Sequence, residues 1–505
     1  MVSMAEIISY NPWWKDPAAI DDDAEIRELQ KSRIKFVPEL EHAIKYDFAP
    51  DNTVIYTMRG PRQVGKTTLL KIQIKKFLKG GVQPWNILYC PLDIADKRTE
   101  ITDIIKTYMR ISQTKRNKSR CYMFLDEASA VKDWQKSIKI LVDGRKLHNC
   151  TIMATGSDAA NIKRASEKLP NRRGRVGDND YIDKIMRPMK FSEYVISQDE
   201  EIQDQWTEST WSSDGRRDIL INLADGNIDR RIDKMMLHKE TLDHLFERYM
   251  VTGGIPRIVN EMVGTGMISE ETYKNYTDGI MGGWNALSKS QRLLKNFCRV
   301  IIENQSNSIS WNHLSKKANI GIAKTSAEYA ESLDDLFVLS VINRYKISDH
   351  ASNMLKERKL YFQDPFFFHI FNGMGSDDGS FMTSLRYVEN EENAGKMTEG
   401  IVADHLIRWL FAQSKNKHKF DHDNHLFYWR ENGRKEVDFI LNHDASAVIP
   451  IEVKFRNTIN LREMGGMTRF LDRTGKSKGI IVSKHDLEEK RDYTIIPAPI
   501  FLLLL

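Results

Sequence analysis

Two groups of residues in this sequence have types and spacing suited to chemistry, and they lie far apart along the chain. The first is Gly60-Pro61-Arg62-Gln63-Val64-Gly65-Lys66-Thr67-Thr68. Glycines at this spacing let backbone N–H groups close on phosphate oxygens. Lys66 then reaches the β and γ oxygens, and the Thr67 hydroxyl is a ligand for Mg2+. Downstream, Asp126 and Glu127 follow the apolar run Cys121-Tyr122-Met123-Phe124-Leu125. An Asp at such a strand tip holds Mg2+ through water, and the Glu beside it polarises an attacking water. Two acids that merely open a helix as N-terminal charges are the plainer alternative. Ser157, in Thr155-Gly156-Ser157 after the apolar run Cys150-Thr151-Ile152-Met153-Ala154, puts a polar residue between the acidic and phosphate elements. Together these residues specify ATP and Mg2+ as cofactors, with ATP hydrolysis as the reaction.

The second group is carried by two strand-like runs near the C-terminal end. In Glu436-Val437-Asp438-Phe439-Ile440-Leu441, alternation puts Glu436 and Asp438 on one face and Val437 and Phe439 on the other. In Val448-Ile449-Pro450-Ile451-Glu452-Val453-Lys454-Phe455, Glu452 and Lys454 share the polar face. Paired strands presenting Asp, Glu and Lys make a D…ExK arrangement. Asp438 and Glu452 would hold one or two hard divalent cations, Mg2+ or Mn2+, and Lys454 would orient water or stabilise a phosphoryl transition state. Glu399 joins them from a helix over 396–411, on the same side as Val402, Ala403, Leu406 and Leu410. A carboxylate on an apolar face requires a metal or another cation as partner. A degenerate domain that keeps only the fold, with acids on edge strands for solubility, is the competing reading.

The elements that must position these groups follow from pattern. Thr53 to Met58 is a strand-like run, and Leu69 to Leu78 has helical apolar spacing ending at Gly80-Gly81. Phe427 to Arg430 is strand-like, with turn chemistry at Glu431-Asn432-Gly433-Arg434. Between the two groups, 293–302, 310–318 and 322–336 read as helices, followed by a β-rich stretch over 337–342. The terminal run Ile500 to Leu505 reads as a buried strand.

The ordered set GPRQVGKTT, FLDEAS with a following DWQ, MATGSD, an Arg-Gly-Arg before PMKFSEY, and TGGIPR resembles the archaeal and bacterial AAA-type P-loop ATPases that carry a C-terminal nuclease-like domain of the PD-(D/E)XK type. Asn11-Pro12-Trp13-Trp14 resembles the N-terminal signature of the archaeal members. The resemblance implies an α/β chain: an N-terminal segment over 1–50, an AAA+ P-loop domain over 51–240 with a parallel sheet between helices, a helical lid over 241–290, a winged helix over 291–350, and an α/β restriction-endonuclease-like domain over 351–505. It makes Ser157 a γ-phosphate sensor. Arg173 and Arg175 match a Gly-Arg region and are either an arginine finger toward a neighbouring subunit or a basic loop over the sheet edge. Arg257, beside Pro256, resembles the sensor arginine of the lid. Trp13 and Trp14 either flank the adenine or simply pack. Thr398-Glu399-Gly400 matches the nuclease-like domain's first-helix pattern, and Asp364 matches a further motif although turn formation is its plainer role. The third helix of the winged helix carries Lys324 against Glu328, Glu331, Asp334 and Asp335, which suits a structural or subunit contact better than phosphate.

Composition bounds the rest. The 505 residues are 41% hydrophobic and 29% charged, a core-forming chain long enough for about three domains at ~150 residues each. Lys and Arg number 75 against 70 acids, a net +5 too dilute to argue nucleic-acid binding by bulk charge. The basic clusters at 115–120, 172–175 and 415–419 read as solvated loops. Cys90, Cys121, Cys150 and Cys298 lack metal or redox spacing and read as reduced core thiols. His418, Asp421, His422, Asp423 and His425 match no zinc spacing and read as a polar loop. With no membrane-length apolar run and no secretory leader pattern, a cytoplasmic protein is expected. The expected function is an oligomeric ATPase, with a hexameric ring among the arrangements. It either drives a metal-dependent nuclease on duplex or branched DNA or acts as a regulatory switch whose nuclease-like fold is inactive and binds a partner.

Overall fold

The computed structural model describes residues 4–505 apart from 39, 41–43, 47, 50–51, 116–118, 170–172, 177–179, 208–211, 287–288, 418–419, 432–434, 445–446, 461–463 and 477. The chain divides into two units, Met1–Arg187 and Pro188–Leu505.

In the first unit, five runs rich in β-branched and aromatic residues form a parallel sheet: β1 Val54–Arg59, β2 Ile87–Pro91, β3 Cys121–Asp126, β4 Cys150–Gly156 and β5 Asp183–Ile185. Their order is β2-β3-β4-β1-β5. The strands are buried on both faces, as a parallel sheet between helices requires. Because β4 lies between β1 and β3, the loop after β1 and the acids after β3 flank the tip of β4. The helix Lys66–Lys79 starts immediately after the loop and stops at Gly80.

The N-terminal segment is part of this unit rather than a separate one. Asp23 pairs with Lys71 at 2.9 Å and Asp21 with Lys75 at 2.6 Å, so residues before the sheet clamp the helix that follows the loop. Asn11 substitutes for a strand at the open edge of β2. Its side-chain N–H donates to Tyr89 O at 2.8 Å, and its side-chain oxygen accepts from Tyr89 N–H at 2.7 Å. The Trp14 indole N–H donates to Ile87 O at 2.8 Å, and its ring stacks on Trp85 with centroids 4.4 Å apart. Covering an edge in this way removes a row of unpaired backbone groups.

The second unit begins with helices from Phe191–Ile196 to Glu270–Ala286. Helices Gln291–Glu303, Trp311–Ala318 and Ala323–Asp335 follow, close to their expected bounds. Then comes an eight-stranded mixed sheet, β6 Leu339–Lys346, β7 Ala351–Phe362, β8 Leu426–Glu431, β9 Lys435–Asp444, β10 Ala447–Lys454, β11 Gly479–Ser483, β12 Glu488–Glu489 and β13 Tyr493–Pro497. The order is β12-β13-β11-β10-β9-β8-β6-β7. Residues 188–240 group with the second unit. A boundary at 350/351 would cut the antiparallel hairpin β6–β7, whose first strand also pairs with β8. The run Ile500 to Leu505 is not a strand: Ala498–Leu504 is a helix whose residues are all buried. An apolar run this short has no readable period, but Pro499 in its first turn favours a helix start.

Candidate functional site

The loop after β1 is shaped by its glycines. Gly65 has φ +102° and ends the loop where the helix Lys66–Lys79 begins. Gln63 also sits at positive φ, 57°. A Cβ at Gly60 would stand 2.0 Å from the Met186 carbonyl oxygen, so only glycine fits there. Val64 is buried and anchors the loop, while Arg62 and Gln63 are exposed. Lys66 is buried, and its ammonium donates to Gly60 O at 3.0 Å and Pro61 O at 2.7 Å. Burial pulls its pKa down to about 8, against the attraction of Glu127 and Asp126. Thr68 donates instead to Glu25 Oε2 at 2.7 Å, toward the N-terminal segment.

Asp126 is the hub of the site. Thr67 Oγ1 donates to its Oδ2 at 2.7 Å, and the Tyr89 hydroxyl to the same oxygen at 3.0 Å. Thr155 Oγ1 donates to Oδ1, which also accepts from Glu127 N–H at 3.1 Å. Glu127 adopts a left-handed φ of 49°, and its Oε2 accepts from Ser157 N–H at 3.0 Å. The polar group from β4 that meets the acid is therefore Thr155, while Ser157 meets Glu127 through its backbone. Tyr89 was not foreseen; its only sequence signal is a tyrosine one residue from Cys90 near the end of an apolar strand. The loop N–H groups, Lys66, Thr67 and Asp126 fit ATP and Mg2+: a positive cradle adjoins a hydroxyl–carboxylate pair suited to a hard cation.

Arg173 is not an arginine finger. Its guanidinium is buried and donates to Ile55 O, Thr57 Oγ1, Ile182 O and Asp183 at 2.7–3.1 Å, tying β1 to β5. Arg175 is exposed. Trp13 and Trp14 are buried, and both indole N–H groups donate to Ile87 O, which is the packing alternative. Arg257 is exposed on the first turn of the helix Pro256–Thr265 in the second unit. Asp364 does more than turn the chain: it caps the helix Pro365–Asn372 through Phe366 N–H at 2.9 Å and accepts from Gly254 N–H at 2.8 Å.

In the second unit, Glu399, Glu436, Asp438, Glu452 and Lys454 come together as expected, but around a residue the sequence reading missed. Lys359 on β7 places its ammonium 2.9 Å from Glu399 Oε1, 2.7 Å from Glu436 Oε1 and 2.9 Å from Asp438 Oδ1. Its side chain is 1% exposed. Burial opposes its charge, but Asp438 and Glu399 override that and hold its pKa well above the usual range. Lys454 pairs with Glu452 at 2.5 Å. Burial and the Asp438 charge push Glu452 up to about 8. The available signal was the alternation of Lys359 and Tyr361 in an apolar run; the Tyr361 hydroxyl also donates to Glu399. Among the described residues, no group of three or more His, Cys, Asp or Glu side chains is arranged to hold a metal. In the loop over 421–425, Asp421 caps a turn, His422 contacts Val341 O, Asp423 accepts from Asn343 and His425 contacts Asn442 O, which is loop structure. His418 and Lys419, like 116–118, Arg172 and 432–434, lie outside the described residues. The four cysteines are buried and unpaired with one another. No helix among the described residues is long and apolar enough to cross a membrane.

Residues 52–195 match the family model described as an AAA domain, AAA_14. Two further models match residues 243–378 and 394–501, and both are described as domains of unknown function, DUF8612 and DUF4143. The first unit therefore carries an AAA-type P-loop ATPase domain with a parallel α/β sheet. Among solved structures, the chain is similar to the Walker-type ATPase PABY2304 of Pyrococcus abyssi, at 14% identity, covering 70% of this chain and 95% of that one, with a TM-score of 0.37. It is also similar to the ORC1 protein of Aeropyrum pernix in complex with DNA, at 10% identity, 71% and 95% coverage and a TM-score of 0.26. A RuvB variant of Thermotoga maritima follows at 14% identity, 67% and 89% coverage and a TM-score of 0.25. No curated protein sequence matches the chain.

Proposed function

We propose that this chain is a Mg2+-dependent ATPase in which ATP turnover controls a C-terminal, nuclease-like domain that binds a partner without cutting it. The observation that carries the ATPase reading is the set of contacts on Asp126, which gathers Thr67 from the helix after the loop, Thr155 from β4 and Tyr89 from β2 onto one carboxylate. Thr67 and Asp126 would hold the Mg2+, which when bound supplies positive charge beside the β and γ phosphates. Lys66 would leave the Gly60 and Pro61 carbonyls for the phosphates, and Glu127 would orient the attacking water. The Glu127 carboxylate is held by Ser157 N–H at 3.0 Å. Assembly into an oligomer remains part of this reading, with Arg175 and Arg257 as exposed arginines available to a bound nucleotide.

The alternative is an ATP-driven nuclease on duplex or branched DNA, with Glu399, Asp438 and Glu452 holding the metal and Lys454 at the phosphoryl group. The contacts of Lys359 with Glu399 and Asp438, two of these three acids, and with Glu436 beside them favour the binding role over this one. The deciding experiment incubates the purified protein with linear, branched and single-stranded DNA in Mg2+ or Mn2+, with and without ATP. The expected result is ATP turnover that Lys66→Ala abolishes, and no strand cleavage. Cleavage that Glu452→Ala eliminates would restore the nuclease reading.

A further inference from the structure

Glu399, Glu436 and Asp438 come from different parts of the fold. Glu399 lies on the helix Glu391–Gln413, while Glu436 and Asp438 lie on β9. All three direct an oxygen at one atom, the Lys359 ammonium on β7. A divalent ion bound by these acids would need the same central position and the same lone pairs. Oxygens of each acid already accept hydrogen bonds or ion pairs. Glu399 Oε1 accepts from Lys359 and from the Tyr361 hydroxyl. Asp438 accepts from Lys359 at Oδ1 and from Val453 N–H at Oδ2, 2.9 Å away. Glu452 accepts from Lys454 at Oε1 and from Asp438 N–H at Oε2. At the rim, Arg430 Nε approaches Glu436 Oε2 at 3.6 Å.

We propose that Lys359 is a resident cation that takes the place of a metal ion in this D…ExK site, so that the chain as it stands binds no divalent cation there. The inference rests on reading the C-terminal sheet as nuclease-like, but it concerns cation binding and not cleavage. An ammonium and a divalent ion cannot share the centre. Their repulsion at contact distance in a buried site is large, and expelling Lys359 would strip a buried charge of its partners. The lysine instead fastens β7 to β9 and to the helix Glu391–Gln413, keeping the acids in place as a fixed polar surface.

The prediction is a gain of function. Mn2+ binding is measured by electron paramagnetic resonance on the nucleotide-free, full-length protein, with Asp438→Asn assigning any signal to this site. The wild type shows no Asp438-dependent binding, whereas Lys359→Ala and Lys359→Met gain such a site. Mn2+ also raises the melting temperature of Lys359→Ala and leaves that of the wild type unchanged. The affinity gain is at least about tenfold, since a unit positive charge leaves a buried site. Asp438-dependent Mn2+ binding by the wild type, or equal affinity in wild type and variants, would overturn the inference while leaving a nuclease-like fold intact. Should the variants not fold, the wild-type titration alone decides. A failure to bind any partner would count against the proposed function and not against this site.

Discussion

Thr67 donates its hydroxyl to Asp126 at 2.7 Å, although Thr67 lies in the first turn of the helix Lys66–Lys79 and Asp126 ends β3, 59 positions further on. Tyr89 and Thr155 donate to the same carboxylate. Asp126→Ala removes the acceptor and leaves three hydroxyls short of a partner. ATP turnover should be lost, and the stimulation of nucleotide binding by Mg2+ should disappear in a fluorescent-nucleotide titration. The first unit should also lose about 1–3 kcal/mol of stability in denaturant unfolding, the cost of orphaning buried polar groups. Unchanged Mg2+ stimulation would remove Asp126 from the metal's surroundings.

Arg173 and Arg175 stand two residues apart and have opposite fates. The Arg173 guanidinium is buried against Asp183 and three other acceptors, so Arg173→Ala removes four hydrogen bonds and the counter-charge of a partly exposed carboxylate. Losing these contacts costs about 1–3 kcal/mol, and thermal unfolding of the variant should show it. Arg175→Ala should leave the melting temperature within a degree or so of wild type, since exposed substitutions stay within about 0.5 kcal/mol. Assayed in mixtures with wild-type subunits, Arg175→Ala tests whether this arginine acts across a subunit boundary.

Asp364 should make the stability of the second unit depend on pH. Burial raises its carboxyl from the ordinary 3.8 to about 7, despite N–H groups of Gly254 and Phe366 that favour the ionised form. The folded chain therefore holds this proton more tightly than the unfolded one. Its contribution to stability is fully present below pH 3.8 and is lost as pH rises through about 7. Unfolding by urea across pH 5 to 8 should show stability falling with pH, and Asp364→Asn should flatten that slope. A slope unaltered by the substitution would place the titration elsewhere. A Cβ at Gly253 would lie 1.8 Å from Asp364 Oδ1, and φ there is +59°. Gly253→Ala should accordingly destabilise the unit by more than about 3 kcal/mol.

What could be read from sequence was local. The phosphate loop, the strand tip at Asp126, and the alternation that puts Asp438 and Glu452 on polar faces all depend on neighbours in the chain. What escaped depends on contacts far along it. Lys359 looked like one lysine among many until β7 and β9 brought it to Asp438, 79 residues away. Arg173 looked like a basic loop until β5 closed over it. The two tryptophans at 13 and 14 were legible as a motif, but their partner, the open edge of β2, was not. The C-terminal helix was misread because a six-residue apolar run buried on every side carries no period.

Glu127 is the residue on which the proposed ATP hydrolysis depends most directly. Steady-state ATP hydrolysis by Glu127→Gln, measured beside ATP affinity by isothermal titration, separates chemistry from binding. The amide keeps the size of the side chain but cannot act as a base, so turnover should fall by about 10²–10⁴-fold, while ATP still binds within a few-fold of wild type. Turnover that survives the substitution, at saturating ATP and with the Lys66→Ala protein inactive, would contradict the assignment of Glu127 to the attacking water.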